Sequence, residues 1–206
     1  MEIEPIKEKI ITESIVLFMN YGVRSVTMDD IAKHLGISKK TIYIHFKDKE
    51  EIILQTTEYY FREEMKVMEE IEAKAQNAVE HMYNLTLCLR DRFGKTSTTV
   101  LYDLKKYYLN AWEKYKSYKH DVIFKSVLRN IERGISEGLF RKDVNPEILA
   151  YLRIGEIELS FNKDYFPEEK FSLVEIHGQL FEHFTYGILS KKGLKLFETY
   201  KQTENR

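Results

Sequence analysis

The sequence predicts an all-α protein of about nine or ten helices, and three observations predict it. Apolar residues recur at helical spacing along most of the chain, helix-start and helix-stop residues punctuate it, and proline is rare. Three prolines and nine glycines in 206 residues are too few for the many turns of a β-rich fold. Hydrophobic residues make up 43% of the chain, enough for a sizeable core. The formal net charge of -1 excludes a chain coated in cations, so any affinity for nucleic acid must come from local charge.

Ile6, Ile10, Leu17, Phe18 and Tyr21 trace the stripe of a first helix, with Ser14 on the same face and Gly22 closing it. Thr27 has the position of an N-cap, and Asp30 can complete a capping box with it. Ile31, Ala32 and Leu35 give the second helix a short apolar face. Gly36 supplies the left-handed break, and Ser38 caps a third helix that runs through Phe46. So short a connection fits two crossing helices of a helix-turn-helix. Asp48 caps a long fourth helix through Ile52, Ile53, Thr56, Tyr60, Met65 and Met68. A domain boundary falls near residue 50 without a flexible linker, giving 1–50 as a helix-turn-helix domain and 51–206 as a helical domain.

Val79, Met82, Tyr83, Thr86, Leu89 and Phe93 mark a fifth helix closed by Gly94, and residues 95–99 form a turn into a short helix with Leu101 and Leu104. Aromatic residues crowd the next segment. Val127, Ile131 and Ile135 give the following helix, with Gly138 as its C-cap. Asn145 and Pro146 make a strong start, N-cap then first helical position, for a helix carrying Ile148, Leu149, Leu152, Gly155 and Leu159. Beyond Pro167, Leu173, Ile176, Leu180, Phe184 and Ile188 mark another, and the tail from Leu194 adds a short last one.

The third helix has two unlike faces. Ile42 and Phe46 are four residues apart and pack on the second helix. Lys39, Lys40, Thr41, Tyr43 and His45 are left for the other side. Lysines neutralise phosphates, and hydroxyls bond phosphate oxygens or base edges. From Lys33 to Lys49 there are five lysines and one acid, a local charge of 5 - 1 = +4. Thr27 and Ser38 at two helix starts, and Lys49 at the start of the fourth helix, complete the expected DNA-facing set. A helix N-terminus with a lysine beside it favours an anion.

Ser14 and Phe18, Gly22, Thr27, Ile31-Ala32, Gly36-Ile37-Ser38, Tyr43, His45-Phe46, Lys49 and Ile52 together resemble the DNA-binding domain of TetR-family transcriptional regulators. The resemblance covers roughly residues 10–53. It departs at Lys40, where the family often has Gly or Ala. It implies an N-terminal three-helix DNA-binding domain joined by the long fourth helix to a helical domain that binds an effector and dimerises. Lys49 matches a lysine that contacts the DNA backbone in that family. The implied function is a sequence-specific transcriptional regulator, read as a repressor released from a near-palindromic operator by a small molecule, with an activator or a regulator answering to a protein partner as variants of the same reading.

Two helices with broad apolar faces, 146–161 and 172–189, would pair with their copies as a four-helix bundle, with Gly155 and Gly178 or Gly187 allowing close approach. Tyr83, Tyr107, Tyr108, Trp112, Tyr115 and Phe124 are candidates to line a cavity for an apolar or aromatic effector. The competing reading is a helical interaction adaptor whose N-terminal motif binds protein. An enzyme is not expected: the histidines lack ligand spacing, and no phosphate loop or serine elbow occurs. No metal or cofactor is expected. Cys88, among leucines, reads as a buried inert thiol. The charged N-terminus lacks the apolar core of a signal peptide, and no run approaches membrane-span length, which points to the cytoplasm.

Overall fold

Several helix starts lie where a capping side chain sets them. In a computed structural model, residues 4–93, 99–167 and 169–204 are described. Among these the helices are α1 Pro5–Tyr21, α2 Met28–Leu35, α3 Lys39–His45, α4 Lys49–Lys74, α5 Ala78–Phe93, α6 Val100–Tyr107 and α7 Leu109–Tyr118. A π-helical segment, Lys119–Phe124, follows, then α8 Lys125–Ser136, α9 Pro146–Ser160, α10 Leu173–Ile188 and α11 Lys191–Glu204. α7, the π segment and α8 follow one another without a break, so the all-α fold contains ten helical rods among the described residues. The expected stop at Gly94 and the turn over 95–98 lie outside the described residues.

Gly22 ends α1 with a positive φ of 83°. Asn145 caps α9 by accepting from the backbone of Glu147 and Ile148, with Pro146 in the first turn. Ser172 and Glu175 form a second capping box at the start of α10. α4 has 26 residues and is therefore about 39 Å long.

The chain divides into two compact units, Met1–Glu64 with Lys95–Tyr118, and Met65–Gly94 with Lys119–Arg206. This differs from a boundary near residue 50. α4 belongs to the first unit as far as Glu64, and α6 and α7 belong to it as well. The reason lies in packing. Val100 and Leu104 of α6 and Ala111 of α7 are buried in one core with Ile10, Phe18, Ile31, Ile42, Phe46 and Ile53. Helical periodicity shows that such residues are apolar on one face but not which core receives them.

The second unit is built around Val79, Met82, Ile131, Phe140, Ile154, Phe181, Phe184 and Ile188. In it α10 packs on α9 and α5, and α8 packs on α9. Gly134 has a packing reason to be glycine: a Cβ there would collide with the ring of Phe140, which is fully buried. Cys88 on α5 is half-buried rather than buried. No described helix is long and apolar enough to cross a membrane.

Candidate nucleic-acid interface

The interface begins with two caps. Thr27 Oγ1 accepts from the Asp30 backbone N–H at 3.2 Å, and Asp30 Oδ2 accepts from the Thr27 N–H at 2.8 Å. These bonds with Thr27 hold the Asp30 carboxyl below the usual carboxylate range. Gly36 then takes the left-handed conformation, φ 66° and ψ 30°, which an L side chain would strain. Ser38 Oγ accepts from the Thr41 N–H at 3.0 Å and shares a hydroxyl–hydroxyl bond of 2.8 Å with Thr41. Local chemistry thus fixes both ends of the turn that aims α3.

α3 is only seven residues, about 10 Å of helix. Ile42 and Phe46 are fully buried and hold it to the core of the first unit. Lys39, Lys40, Tyr43 and Ile44 are exposed. Lys39 Nζ donates to Asp29 Oδ2 at 2.9 Å, and that bond raises its affinity for the proton. Asp29 therefore aims Lys39 from the start of α2. Lys40 and Tyr43 have no hydrogen bond or ion pair among the described residues.

His45 is not part of this open face. Its side chain is 12% exposed and its Nδ1 lies 3.3 Å from Glu4 Oε2. Polarity alone groups it with Lys39–Tyr43; its partner Glu4 is remote along the chain. Thr27, Ser38 and Thr41 are at the surface, but their hydroxyls are engaged in capping.

Lys49 is more than a surface charge. Its Nζ donates to the carbonyl of Arg24 at 3.1 Å, in the loop between α1 and α2. Burial pushes its ammonium down, against the attraction of Asp103 and Asp30. Asp103, buried on α6, accepts from the Arg24 N–H at 3.0 Å. The Arg24 guanidinium reaches Tyr107 Oη at 3.3 Å and lies 4.9 Å from that ring's centre. One loop residue, Arg24, is therefore gripped by the start of α4 and by both Asp103 and Tyr107 of α6.

Sequence reasoning missed two residues of this region. Ile44 is 71% exposed. Its signal was available: it stands two residues from both Ile42 and Phe46, about 200° around the helix from the buried stripe. Arg24 carried no such signal, because its partners lie far along the chain.

The six aromatic residues expected around an effector fall in two separate units. Tyr107, Tyr108, Trp112 and Tyr115 belong to the first unit, Tyr83 and Phe124 to the second. Tyr108 and Trp112 pack against the core of the first unit, and Trp112 lies 4.9 Å from the buried Tyr115. Tyr83 stacks on Tyr200 at 5.7 Å, and Phe124 lies 4.5 Å from Tyr151. These are core and stacking roles, formed because flat apolar rings pack well on one another. In the second unit a depression of about 110 Å³ is lined by Met65, Met68, Glu69, Glu72, Asp121, Val122, Ser126 and Arg129. It is smaller than the roughly 300 Å³ at which drug-sized sites begin, and Arg129 bridges Glu72 there with two bonds.

On α9, Ile148, Tyr151 and Leu152 are exposed, with Ile148 at 64%. A Cβ added at Gly155, Gly178 or Gly187 would meet no atom within 4 Å, so these positions on α9 and α10 are open.

The sequence model for bacterial regulatory proteins of the tetR family matches residues 10–56. Over 197 residues the chain is 22% identical to IcaR of Staphylococcus aureus (strain Newman), a negative transcriptional regulator of the biofilm operon icaADBC; the match covers 89% of this chain and 97% of that relative. The fold is similar to that of a TetR-family transcriptional regulator from Agrobacterium tumefaciens, with a TM-score of 0.76 at 13% identity, covering 89% and 97% of the two chains. It is also similar to the regulator FadR from Bacillus subtilis, solved with stearoyl-CoA, with a TM-score of 0.64 at 18% identity and 86% and 96% coverage.

Proposed function

The chain belongs to the TetR family of bacterial regulatory proteins and is a DNA-binding transcriptional regulator, and from that premise we propose that it is a homodimeric repressor released from its operator by a small molecule. The observation that carries the reading is the face of α3: a short helix set by the caps at Thr27 and Ser38 and by two buried anchors, with Lys39, Lys40 and Tyr43 exposed and Lys39 steadied by Asp29. In each subunit α3 enters the major groove. Lys39, Lys40 and Lys49 neutralise phosphates, and the Tyr43 hydroxyl bonds a phosphate or a base edge. Thr27, Ser38 and Thr41 sit at helix starts whose free N–H groups favour phosphate oxygens.

Dimerisation runs through α9 and α10. Their exposed Ile148, Tyr151 and Leu152 and their open glycines support a four-helix bundle with the second copy. A two-fold axis then sets two α3 helices about one DNA turn, or a multiple of it, apart on a near-palindromic site. Repression is supported by the negative regulator IcaR, and a small-molecule effector by the neighbour that holds stearoyl-CoA. The effector of this chain is an apolar or aromatic small molecule that binds the DNA-free state better than the DNA-bound one, since only differential affinity shifts the balance. α6 is placed to pass the signal on: Asp103 holds Arg24, and Arg24 holds Lys49. The protein works in the cytoplasm, where bacterial DNA lies.

Selection of duplexes from a random pool by the full-length protein tests the reading. The expected outcome is an enriched motif with two inverted half-sites. No enriched motif at moderate salt would sink it. Light scattering tests the dimer independently, and a monomer at micromolar concentration refutes it.

A further inference from the structure

Ile44 has no packing role in its own unit. At 71% it is the most exposed of the large hydrophobic side chains among the described residues. Single exposed hydrophobic residues are common on protein surfaces. What sets Ile44 apart is its company. It follows Lys40 by four residues and Thr41 by three, so the three share one side of α3, and Tyr43 is its neighbour in sequence. This side lies opposite Ile42 and Phe46, the two anchors that leave α3 only one way to dock. A β-branched apolar side chain thus stands among an exposed lysine, an exposed tyrosine and a capping threonine, where each other group suits phosphates or polar base edges.

The largest apolar group in the major groove is the C5-methyl of thymine; cytosine offers only a C5–H there, and the other base-edge features are hydrogen-bond donors or acceptors. Phosphates have nothing to offer isoleucine. Placing Ile44 against a donor or acceptor would leave that group unpaired and dry, which is costly. We infer that Ile44 reads the C5-methyl group of a thymine in each half-site of the operator, and so sets base preference at that position. The inference rests on α3 as the DNA-contacting helix and goes beyond it by naming the base and the group recognised.

The experiment uses the full-length protein and the duplex enriched from a random pool. Each thymine is replaced in turn by deoxyuridine, which lacks the methyl and keeps the same hydrogen-bonding edge. Binding is measured by fluorescence anisotropy for the wild type and for Ile44→Ala. Burying one methyl-sized group is worth about fourfold in affinity. The expected result is one thymine per half-site whose replacement weakens the wild type about fourfold and leaves Ile44→Ala unaffected. An exposed isoleucine can be truncated without unfolding the unit, and an unchanged melting temperature verifies this. A uracil series that affects both proteins equally, or neither, overturns the inference while leaving DNA binding intact. So does an Ile44→Ala defect of the same size on every duplex, which would assign the side chain to the sugar-phosphate backbone. Failure of the pool to enrich any motif overturns both this inference and the reading it rests on.

Discussion

Lys40 and Lys49 carry the same charge in the same small region, but they are tied to it differently. Lys40 is exposed and makes no hydrogen bond or ion pair among the described residues; Lys49 is half-buried and donates to the Arg24 carbonyl. Lys40→Ala should weaken binding about equally on all sequences and reduce the slope of log affinity against log salt by about 0.9, one phosphate contact, with no change in melting temperature. Lys49→Ala should produce the same change in slope and in addition destabilise the fold by about 1 kcal/mol, since it strands a carbonyl that a charged donor now satisfies. A salt titration paired with a thermal melt separates the two; a loss of stability in Lys40→Ala would contradict the assignment. At this scale the sequence was informative where chemistry is local. Thr27 with Asp30, and Ser38 with Thr41, are close along the chain, so the caps could be read directly. His45 was misplaced because the Glu4 that draws it aside is remote in sequence.

Among the elements, α6 shows what periodicity cannot deliver. Its apolar spacing identifies a helix, and α3, α4, α9 and α10 were legible in the same way. Membership of α6 in the first unit depends on Val100 and Leu104 entering the core there, and on the buried Asp103 receiving the Arg24 N–H. Asp103→Ala should leave that N–H without its partner and cost about 1–3 kcal/mol. The urea midpoint should fall with the slope unchanged, as for a loss of stability without a change in the surface exposed. Gly22 belongs to the same junction, since a Cβ there would press on the Thr99 hydroxyl at 2.7 Å. In the second unit, Gly134→Ala should cost about 1–3 kcal/mol by overpacking against Phe140. An unchanged melting temperature in that variant would mean that α8 and the Phe140 loop can separate freely.

For the molecule as a whole, the helices proposed to join two copies also hide a charged cluster. Arg153 and Glu156 of α9 and His177 of α10 are all buried; Arg153 Nη1 donates to Glu156 Oε2 at 3.1 Å, and Nη2 lies 3.5 Å from His177 Nε2. The Arg153 guanidinium also covers the Phe181 ring at 4.7 Å. A cation beside His177 favours the neutral imidazole with its Nε2 lone pair turned to the guanidinium. Burial, with Arg153 adding to it, pulls the His177 pKa down from 6.5 to about 3. The sign follows from the difference between the states. Between these two values the unfolded chain binds a proton that the folded chain refuses, so stability is full above pH 6.5 and falls as the pH is lowered toward 3. Glu156 acts the other way, because burial raises its carboxyl, and His81 acts in the same direction as His177. Both remain in a His177→Gln variant, so the difference between the two proteins isolates the one imidazole. That difference should be independent of pH above 7 and should shift in favour of the variant by up to about 1.4 kcal/mol per pH unit below pH 6. Urea melts at several pH values, run at one protein concentration because dimerisation makes the midpoint concentration-dependent, provide the measurement. Parallel curves for the two proteins from pH 7 to 4.5 would show that His177 takes up its proton in the folded state, and the closed packing of α9 against α10 would then have to open to admit it.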